Sequence, residues 1–513
     1  METLKANMSL RSIGSDALDL RQLAVRQARR ICPVSLLVLI VCIVLDLAVF
    51  RAMLSAQAYE FDTQWDPPIV LFDARATATR SHPRVIFTPF VVLDTQGHIK
   101  VLWELSVGEA SDGNGLTNGI YCMDGDGSSW SVPVDVIADP NGAATFWPQH
   151  AVDVYGRMHI VWVGTNAQLF HSRAPSASAC HAGSWETTLV PTSEQVLYGN
   201  IAVDAIGTLH LVYAARGKDI YYMRSADGES SWTQPVVISS VSSSTATSFP
   251  SLAVDPNGGI HVVWEENQLP DGVPDLGIFS AQSQDGGATW SFPLRLSPPG
   301  SGYTQPNITA LNDGSVHVFW NGRAATRGRY HRWSTDGGTM WTQDQEFIPK
   351  AAGGGQTGFP RFTTDSRGRL HLVSGTDAVT YAIWNEQRWL QPTISIIPHT
   401  LEYADIAISG GNRLHVVATD FQRVWYVQGV TDAPESRSGY LPEPEMQVAK
   451  APTTIVSTIE YPNDPELPDE AYHKESPGTS GRASPISVVL LSSGLALLLV
   501  VSVVFLSFGK RRS

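Results

Sequence analysis

The sequence predicts an all-β protein, and three observations carry that prediction. One short phrase recurs seven times: GHIKVLWE at Gly97–Glu104, GRMHIVWV at Gly156–Val163, GTLHLVYA at Gly207–Ala214, GGIHVVWE at Gly258–Glu265, GSVHVFWN at Gly314–Asn321, GRLHLVSG at Gly368–Gly375 and NRLHVVAT at Asn412–Thr419. An Asp stands three residues before the Gly in five copies, at Asp94, Asp153, Asp204, Asp255 and Asp365. Glycine (43) and tryptophan (15) are plentiful and charged residues make up only 16%, which suits a turn-rich fold with large aromatic inserts. A turn followed by an apolar run, repeated every roughly 45–60 residues, is the signature of a β-propeller of four-stranded blades. Seven phrases predict seven blades, with six as the alternative count.

The repeat at Phe249–Ser297 can be parsed in full. Phe249–Asp255 is an apolar first strand. Asp255-Pro256-Asn257-Gly258 is a turn, with Asp and Asn able to bond nearby backbone and Gly able to take positive φ. Gly259–Glu265 and Leu276–Ser283 are the second and third strands, and Trp290–Ser297 is the fourth. The same parse fits the first six repeats. The seventh supplies only Tyr403–Ser409, Arg413–Thr419 and Arg423–Val430. Pro68–Asp73 (PIVLFD), ahead of the first repeat, is expected to fill the gap by pairing with Arg423–Val430, which closes the ring and removes a sheet edge.

Outside the propeller, residues 67–430, the chain changes character. Residues 1–32 form a basic leader, expected in the cytoplasm. Residues 33–50 are apolar apart from Asp46 and read as a membrane anchor or as the core of a signal peptide, since Ala56-Gln57-Ala58 fits a cleavage site. Residues 431–485 are rich in Pro, Glu, Ser and Asp and read as a self-repelling stalk. Residues 486–508 form a 23-residue apolar span, about 34 Å as a helix, enough to cross a bilayer. Residues 509–513 are a basic tail. Arginines before the first span and Lys510, Arg511 and Arg512 after the second should stay cytoplasmic, so the propeller is expected on the extracellular side of the cell membrane. The lipid bilayer is one expected partner. The net charge of −14, with no Lys/Arg cluster in the repeats, argues against nucleic acid. In the exported region an oxidising compartment allows a disulfide between Cys122 and Cys180; two unpaired cysteines is the alternative.

A second motif marks the turns between third and fourth strands. Ser283-Gln284-Asp285-Gly286-Gly287-Ala288-Thr289-Trp290 and Ser334-Thr335-Asp336-Gly337-Gly338-Thr339-Met340-Trp341 are full copies; Ser225–Trp232 and Asp124–Trp130 are looser ones. These turns resemble the Asp box, S-x-D-x-G-x-x-W, of the sialidase-like, bacterial-neuraminidase-repeat propellers. The resemblance covers about Pro89–Val430. It implies boxes on the face opposite the ligand site, so their Ser, Asp, Gly and Trp are read as structural. Sialidases of that group carry an arginine trio, a Tyr–Glu nucleophile pair, an Asp acid/base and an early Arg-Ile-Pro motif. The nearest match to that motif is Pro83-Arg84-Val85-Ile86, ahead of the first blade, and such propellers are usually six-bladed. Arg361 could be one trio member; the other two find no equivalent blade positions.

The repeated His159, His210, His261, His317, His371 and His415 suggest a metal site at first sight. Ligands must converge within about 2.0–2.1 Å of one ion, and equivalent blade positions cannot. They read as packed strand residues, with no metal and no cofactor expected. A more informative position lies four residues before the turn Asp. It holds Phe90, Gln149, Asn200, Ser251, Asn307, Arg361 and Asp405, usually after a Pro (Pro89, Pro148, Pro250, Pro306 and Pro360). An apolar scaffold thus presents a varied polar ring where the innermost strands start. Gln149, Asn200, Asn307, Arg361 and Asp405 are candidate ligand contacts, with ordered water in a channel mouth as the alternative. Second-strand ends add Glu104, Glu265, Glu266 and Asn321, with Glu402 and Tyr403 nearby; Glu265 joins the candidates.

The leading function is a membrane-tethered extracellular propeller binding a glycan or protein at its polar mouth. The alternative is an exo-acting glycosidase of the sialidase type, with a purely structural surface protein as a third class. The catalytic set of a sialidase is not identifiable, and a shared fold does not supply a site.

Overall fold

The computed structural model describes residues 63–76, 84–107, 118–139, 146–164, 166–216, 219–226, 231–239, 245–268, 277–298, 302–322, 328–348, 358–375, 378–385, 388–390, 394–397 and 403–436. The expected leader, both apolar spans and nearly all of the stalk lie outside these residues. Among the described residues no helix is long and apolar enough to cross a membrane.

The strands form seven antiparallel blades, not six. They cover residues 85–137, 146–189, 196–237, 245–295, 303–348 and 361–397, and a seventh built on 403–430. Six blades run first to fourth strand in chain order. The seventh takes its outermost strands from the N-terminal side, as expected. Ile69 pairs with Tyr426, Val70 with Trp425, Phe72 with Val424 and Asp73 with Arg423. Gln64 and Trp65 extend the same edge against Val430 and Gly429. The fourth strand of blade 4 is shorter than expected, only Leu294–Arg295. The turn uses Ser291 N–H to bond Gln282 O, and Pro293 has no N–H for the ladder.

The described blades fall into two compact units, one of blades 1, 6 and 7 and one of blades 2 to 5. In each unit the core lies between successive blades. One cluster joins blades 3 and 4 through Val212, Tyr222, Leu252, Val262 and Trp264. Another joins blades 6 and 7 through Val373, Tyr381, Ile406, Val416 and Trp425. The aromatic of the repeated phrase supplies bulk, and Trp103, Trp162, Tyr213, Trp264 and Trp320 are fully buried.

The phrase has a polar logic beneath its apolar one. Each turn Asp accepts two backbone N–H groups with Oδ1, as Asp153 does from Tyr155 and Arg157, and Asp255 from Asn257 and Gly259. That folds the turn and puts its Gly at positive φ, 78° at Gly156 and 85° at Gly258. Oδ2 of the same Asp meets Nε2 of the repeated His: 3.4 Å for Asp153–His159, 3.3 Å for Asp204–His210, 2.9 Å for Asp255–His261 and 3.0 Å for Asp365–His371. The other ring nitrogen, Nδ1, meets a third-strand side chain. The partner is a Tyr hydroxyl in His210–Tyr222 (2.8 Å), His371–Tyr381 (2.7 Å) and His415–Tyr426 (2.8 Å). It is a second imidazole in His159–His171 (3.0 Å) and His317–His331 (3.0 Å). Ser315 and Ser409 hydroxyls replace the Asp carboxylate in blades 5 and 7. In blade 1 Lys100 replaces the His, with Nζ 3.3 Å from Asp94 and 2.7 Å from Asp124.

The S-x-D-x-G-x-x-W turns dock on the outer end of this relay. Ser283 Oγ accepts from Gly287 N–H, Asp285 Oδ1 accepts from Thr289 N–H, and Trp290 Nε1 donates to Gly287 O. Ser334, Asp336 and Trp341 repeat the pattern. A Cβ on Gly287 would lie 2.1 Å from the Tyr222 ring of the preceding blade, so the Gly is there to admit that ring. Trp290 then meets Tyr222 edge-on at 5.0 Å, as Trp232 meets His171 at 5.8 Å and Trp130 meets Tyr426 at 4.8 Å. The turns are fasteners between blades.

The relay histidines are held neutral. Burial pushes His171 down to about 3 and His317 and His415 down to about 4. Burial also raises the carboxyls of Asp153 and Asp365, but bonds from His159 and His371, with neighbouring arginines, overcome it and hold both at about 2. An unfolded chain protonates its histidines near about 6.5. The histidine contribution to stability is therefore complete above that value and is lost as pH falls towards 4, with a slope of up to about 1.4 kcal/mol per pH unit for each histidine. The aspartate contribution persists until pH falls below about 4. The thermal midpoint should hold near pH 7–8 and drop steeply between pH 6.5 and 4, before most carboxylates titrate. A midpoint flat from pH 7 to 4.5 would contradict neutral, buried histidines.

Candidate functional site

The first strands begin with a distortion shared by four blades. Register shifts fall between Phe87 and Phe90, Phe146 and Gln149, Ser248 and Ser251, and Thr304 and Asn307. At each shift a non-glycine residue before proline takes positive φ: Thr88 at 36°, Trp147 at 54°, Phe249 at 48° and Gln305 at 51°. Proline explains the bulge, because it removes a ladder N–H. Positive φ costs a bulky residue on the order of 1–2 kcal/mol. Blade 3 has no proline there and shifts register between Val196 and Tyr198 instead.

The polar ring follows directly. Gln149 accepts a 3.3 Å bond from the Asn200 amide with Oε1 and donates to Pro148 O. Ser251 donates to Asn307 Oδ1 at 2.7 Å, and the same oxygen accepts from Ile308 N–H. Asp405 Oδ2 accepts from Val91 N–H at 3.0 Å. Phe90, Gln149, Ser251, Asn307 and Asp405 are all buried, whereas Asn200 and Arg361 are half-buried. Burial lowers the Arg361 pKa, opposed by the negative charge of Asp405. Its guanidinium carbon lies 5.6 Å from the Phe359 ring centre, a cation–π distance.

The second-strand ends turn inward. Glu265 is fully buried, and its Oε2 accepts from Thr304 Oγ1 at 2.6 Å and from Gln305 N–H at 3.1 Å. It therefore pins the bulge of the next blade. Glu104 meets Thr88 Oγ1 across its own bulge at 3.4 Å. Trp264 Nε1 donates to Glu266, whose pKa burial raises. Asn321 donates to Gln305 Oε1 at 2.9 Å. Arg84 is also buried, which lowers its pKa. Glu402 lies outside the described residues. Cys122, on the third strand of blade 1, and Cys180, between two short 3-10 turns of blade 2, are each disulfide-bonded.

The side chains left half-exposed stand two residues before the ring: Trp147, Tyr198, Phe249, Gln305, Phe359 and Tyr403, with buried Thr88 as the seventh. Five of the seven are aromatic. In blades 2 to 4 the rings gather: Tyr198 and Phe249 centres are 4.3 Å apart, Trp147 and Tyr198 5.5 Å, and Trp147 and Phe249 6.4 Å. In the other unit Tyr403 and Phe87 flank Phe421 edge-on at 6.0 and 5.5 Å. Sequence reasoning named Tyr403 but not the repeated position, although an aromatic just before proline or just ahead of a polar residue was visible in the repeats.

No family model and no curated protein matches this chain. Among solved structures, a polysaccharide lyase of family PL25, an ulvan lyase, matches with a TM-score of 0.51 at 12% identity, over 72% of this chain and 97% of the lyase. The BP39L lectin of Burkholderia pseudomallei matches with a TM-score of 0.49 at 16% identity, over 70% of this chain and 98% of the lectin. The Trypanosoma rangeli sialidase matches with a TM-score of 0.37 at 13% identity, over 71% of this chain and 59% of the sialidase. At such identities the likeness is one of fold alone, an all-β architecture of four-stranded blades.

Proposed function

We propose that this chain is a membrane-tethered extracellular glycan-binding protein that takes its ligand where the first strands begin. The observation that carries the reading is the half-exposed set at one repeated strand position, Trp147, Tyr198, Phe249, Gln305, Phe359 and Tyr403. Apolar residues recur from the third strand residue beyond it, as at Ile201, Leu252, Ile308 and Ile406, so this position varies on a constant scaffold. Aromatic faces beside amide groups suit a ligand with apolar C–H faces and hydroxyl edges. The fold of the lyase is consistent with such a ligand.

Glycoside hydrolysis is the second reading, favoured by Arg361 and by the sialidase-like turns. It needs a pair of accessible carboxylates. Glu265 and Glu104 are buried and engaged in hydrogen bonds, which weighs against them as that pair. The full-length chain in detergent, applied to a glycan array and to a fluorogenic sialoside, should bind glycan without releasing fluorophore. Release that is lost in Arg361→Ala would establish the enzyme reading instead, and absence of any glycan binding would sink the proposal.

The membrane placement rests on the apolar spans at residues 33–50 and 486–508 and their basic flanks. Protease added to intact cells should cut the residue 431–485 stalk; a stalk protected until the cells are opened would reverse the orientation.

A further inference from the structure

Trp147, Tyr198 and Phe249 come from the first strands of three successive blades, yet their rings meet within 4.3–6.4 Å. All three are half-buried, so each keeps part of its surface in water. Trp147 and Phe249 sit at φ of 54° and 48°, backbone states that bulky residues avoid. A ring needed only for packing could be supplied from relaxed backbone; strain of this kind concentrates where a surface must be presented in one geometry.

The polar groups beside the rings are carboxamides. Tyr198 and Asn200 are two residues apart in regular register, hence on one face of the strand. The Asn200 amide bonds Gln149 Oε1, so the two side chains fix one another's orientation. A carboxamide offers both donors and an acceptor, which matches a hydroxyl, and it carries no positive charge to offset an anion. Arg361, the cation of the repeated ring position, belongs to a blade of the other unit.

We infer that Trp147, Tyr198 and Phe249 form a stacking platform for the C–H face of a neutral pyranose, with Asn200, held in orientation by buried Gln149, positioned for its hydroxyls. The electron-rich ring faces attract the weakly positive C–H groups of the sugar, and the uncharged amide supplies no counter-charge for a carboxylate or sulfate. This inference rests on the glycan-binding reading and narrows it to one sugar class and one set of residues.

The test uses the full-length chain in detergent. The probes are immobilised neutral oligosaccharides of glucose, galactose and mannose, beside sulfated and uronic-acid oligosaccharides. Wild type should bind a neutral member. Trp147→Ala and Phe249→Ala should weaken that binding at least tenfold without moving the thermal midpoint, and Trp147→Phe should restore it to within threefold. If the alanine variants misfold, Phe249→Leu keeps the bulk, removes the ring face and should still lose binding. Neutral-sugar binding untouched by these variants would overturn the platform and leave the glycan reading intact. Binding of anionic probes alone, lost in Arg361→Ala, would do the same. No binding to either set would overturn both.

Discussion

The structure depends on a buried hydrogen-bonded relay from a turn carboxylate through a neutral imidazole to a Tyr or His of the third strand. Each member solves a problem for the next. The carboxylate is taken up by two turn N–H groups and the imidazole, so its burial is compensated. The imidazole has both nitrogens bonded, which fixes its tautomer and its ring plane. The third-strand ring, held by the imidazole, becomes the surface on which the next blade's Trp and Gly dock, as with Trp290 and Gly287 on Tyr222. Blade-to-blade packing thus inherits its geometry from a polar network, and buried polar networks specify one arrangement when fully satisfied.

That division leaves the opposite strand ends free for another task. The turns that carry the relay are built from Asp, Gly and Ser in positions where substitution breaks a bond. The first-strand starts are built differently. Proline interrupts the ladder, the backbone bulges, and residues as unlike as Thr88, Trp147, Phe249 and Gln305 occupy the same strained conformation. Glu265, bonded to Thr304 and Gln305, shows that buried carboxylates hold the bulge in place from beneath. Variable side chains on a braced, strained backbone are what a recognition surface requires.

The architecture was legible because its signals are local and repeated. The Asp-to-Gly turn, the alternating phrase and the missing fourth strand could each be read from residue order, and the N-terminal strand Ile69–Asp73 pairs as that order implies. The histidines were legible as packed residues but not as relay members. Their partners Tyr222, Tyr381 and His331 lie 10 to 14 residues away and are defined only by strand register. The candidate site was half legible. Polarity drew the reading to Gln149, Asn307 and Asp405, which the fold buries and bonds. Of the half-exposed rings two residues earlier only Tyr403 was singled out, because hydrophobicity alone does not say which aromatic a bulge will leave half in water.

Blade 4 supplies the most direct test, since it alone among the relay-bearing blades has a serine at the third-strand position: Ser280 pairs with Val263, two residues beyond His261, as Tyr222 pairs with Val212, two beyond His210. A cavity of about 210 Å³ opens beside His261, Ser280, Gly338 and Trp341. Gly338 faces this cavity as Gly287 faces Tyr222, so the space for a ring is already present. The decisive measurement is the unfolding midpoint of Ser280→Tyr beside Ser280→Phe. If the relay fastens the blades, Ser280→Tyr completes it through His261 and should be more stable than Ser280→Phe by about 1 kcal/mol, a hydrogen bond's worth. Both variants should exceed wild type, because both fill the cavity. Equal midpoints for the two variants would contradict the account, since the ring would then matter and the relay would not.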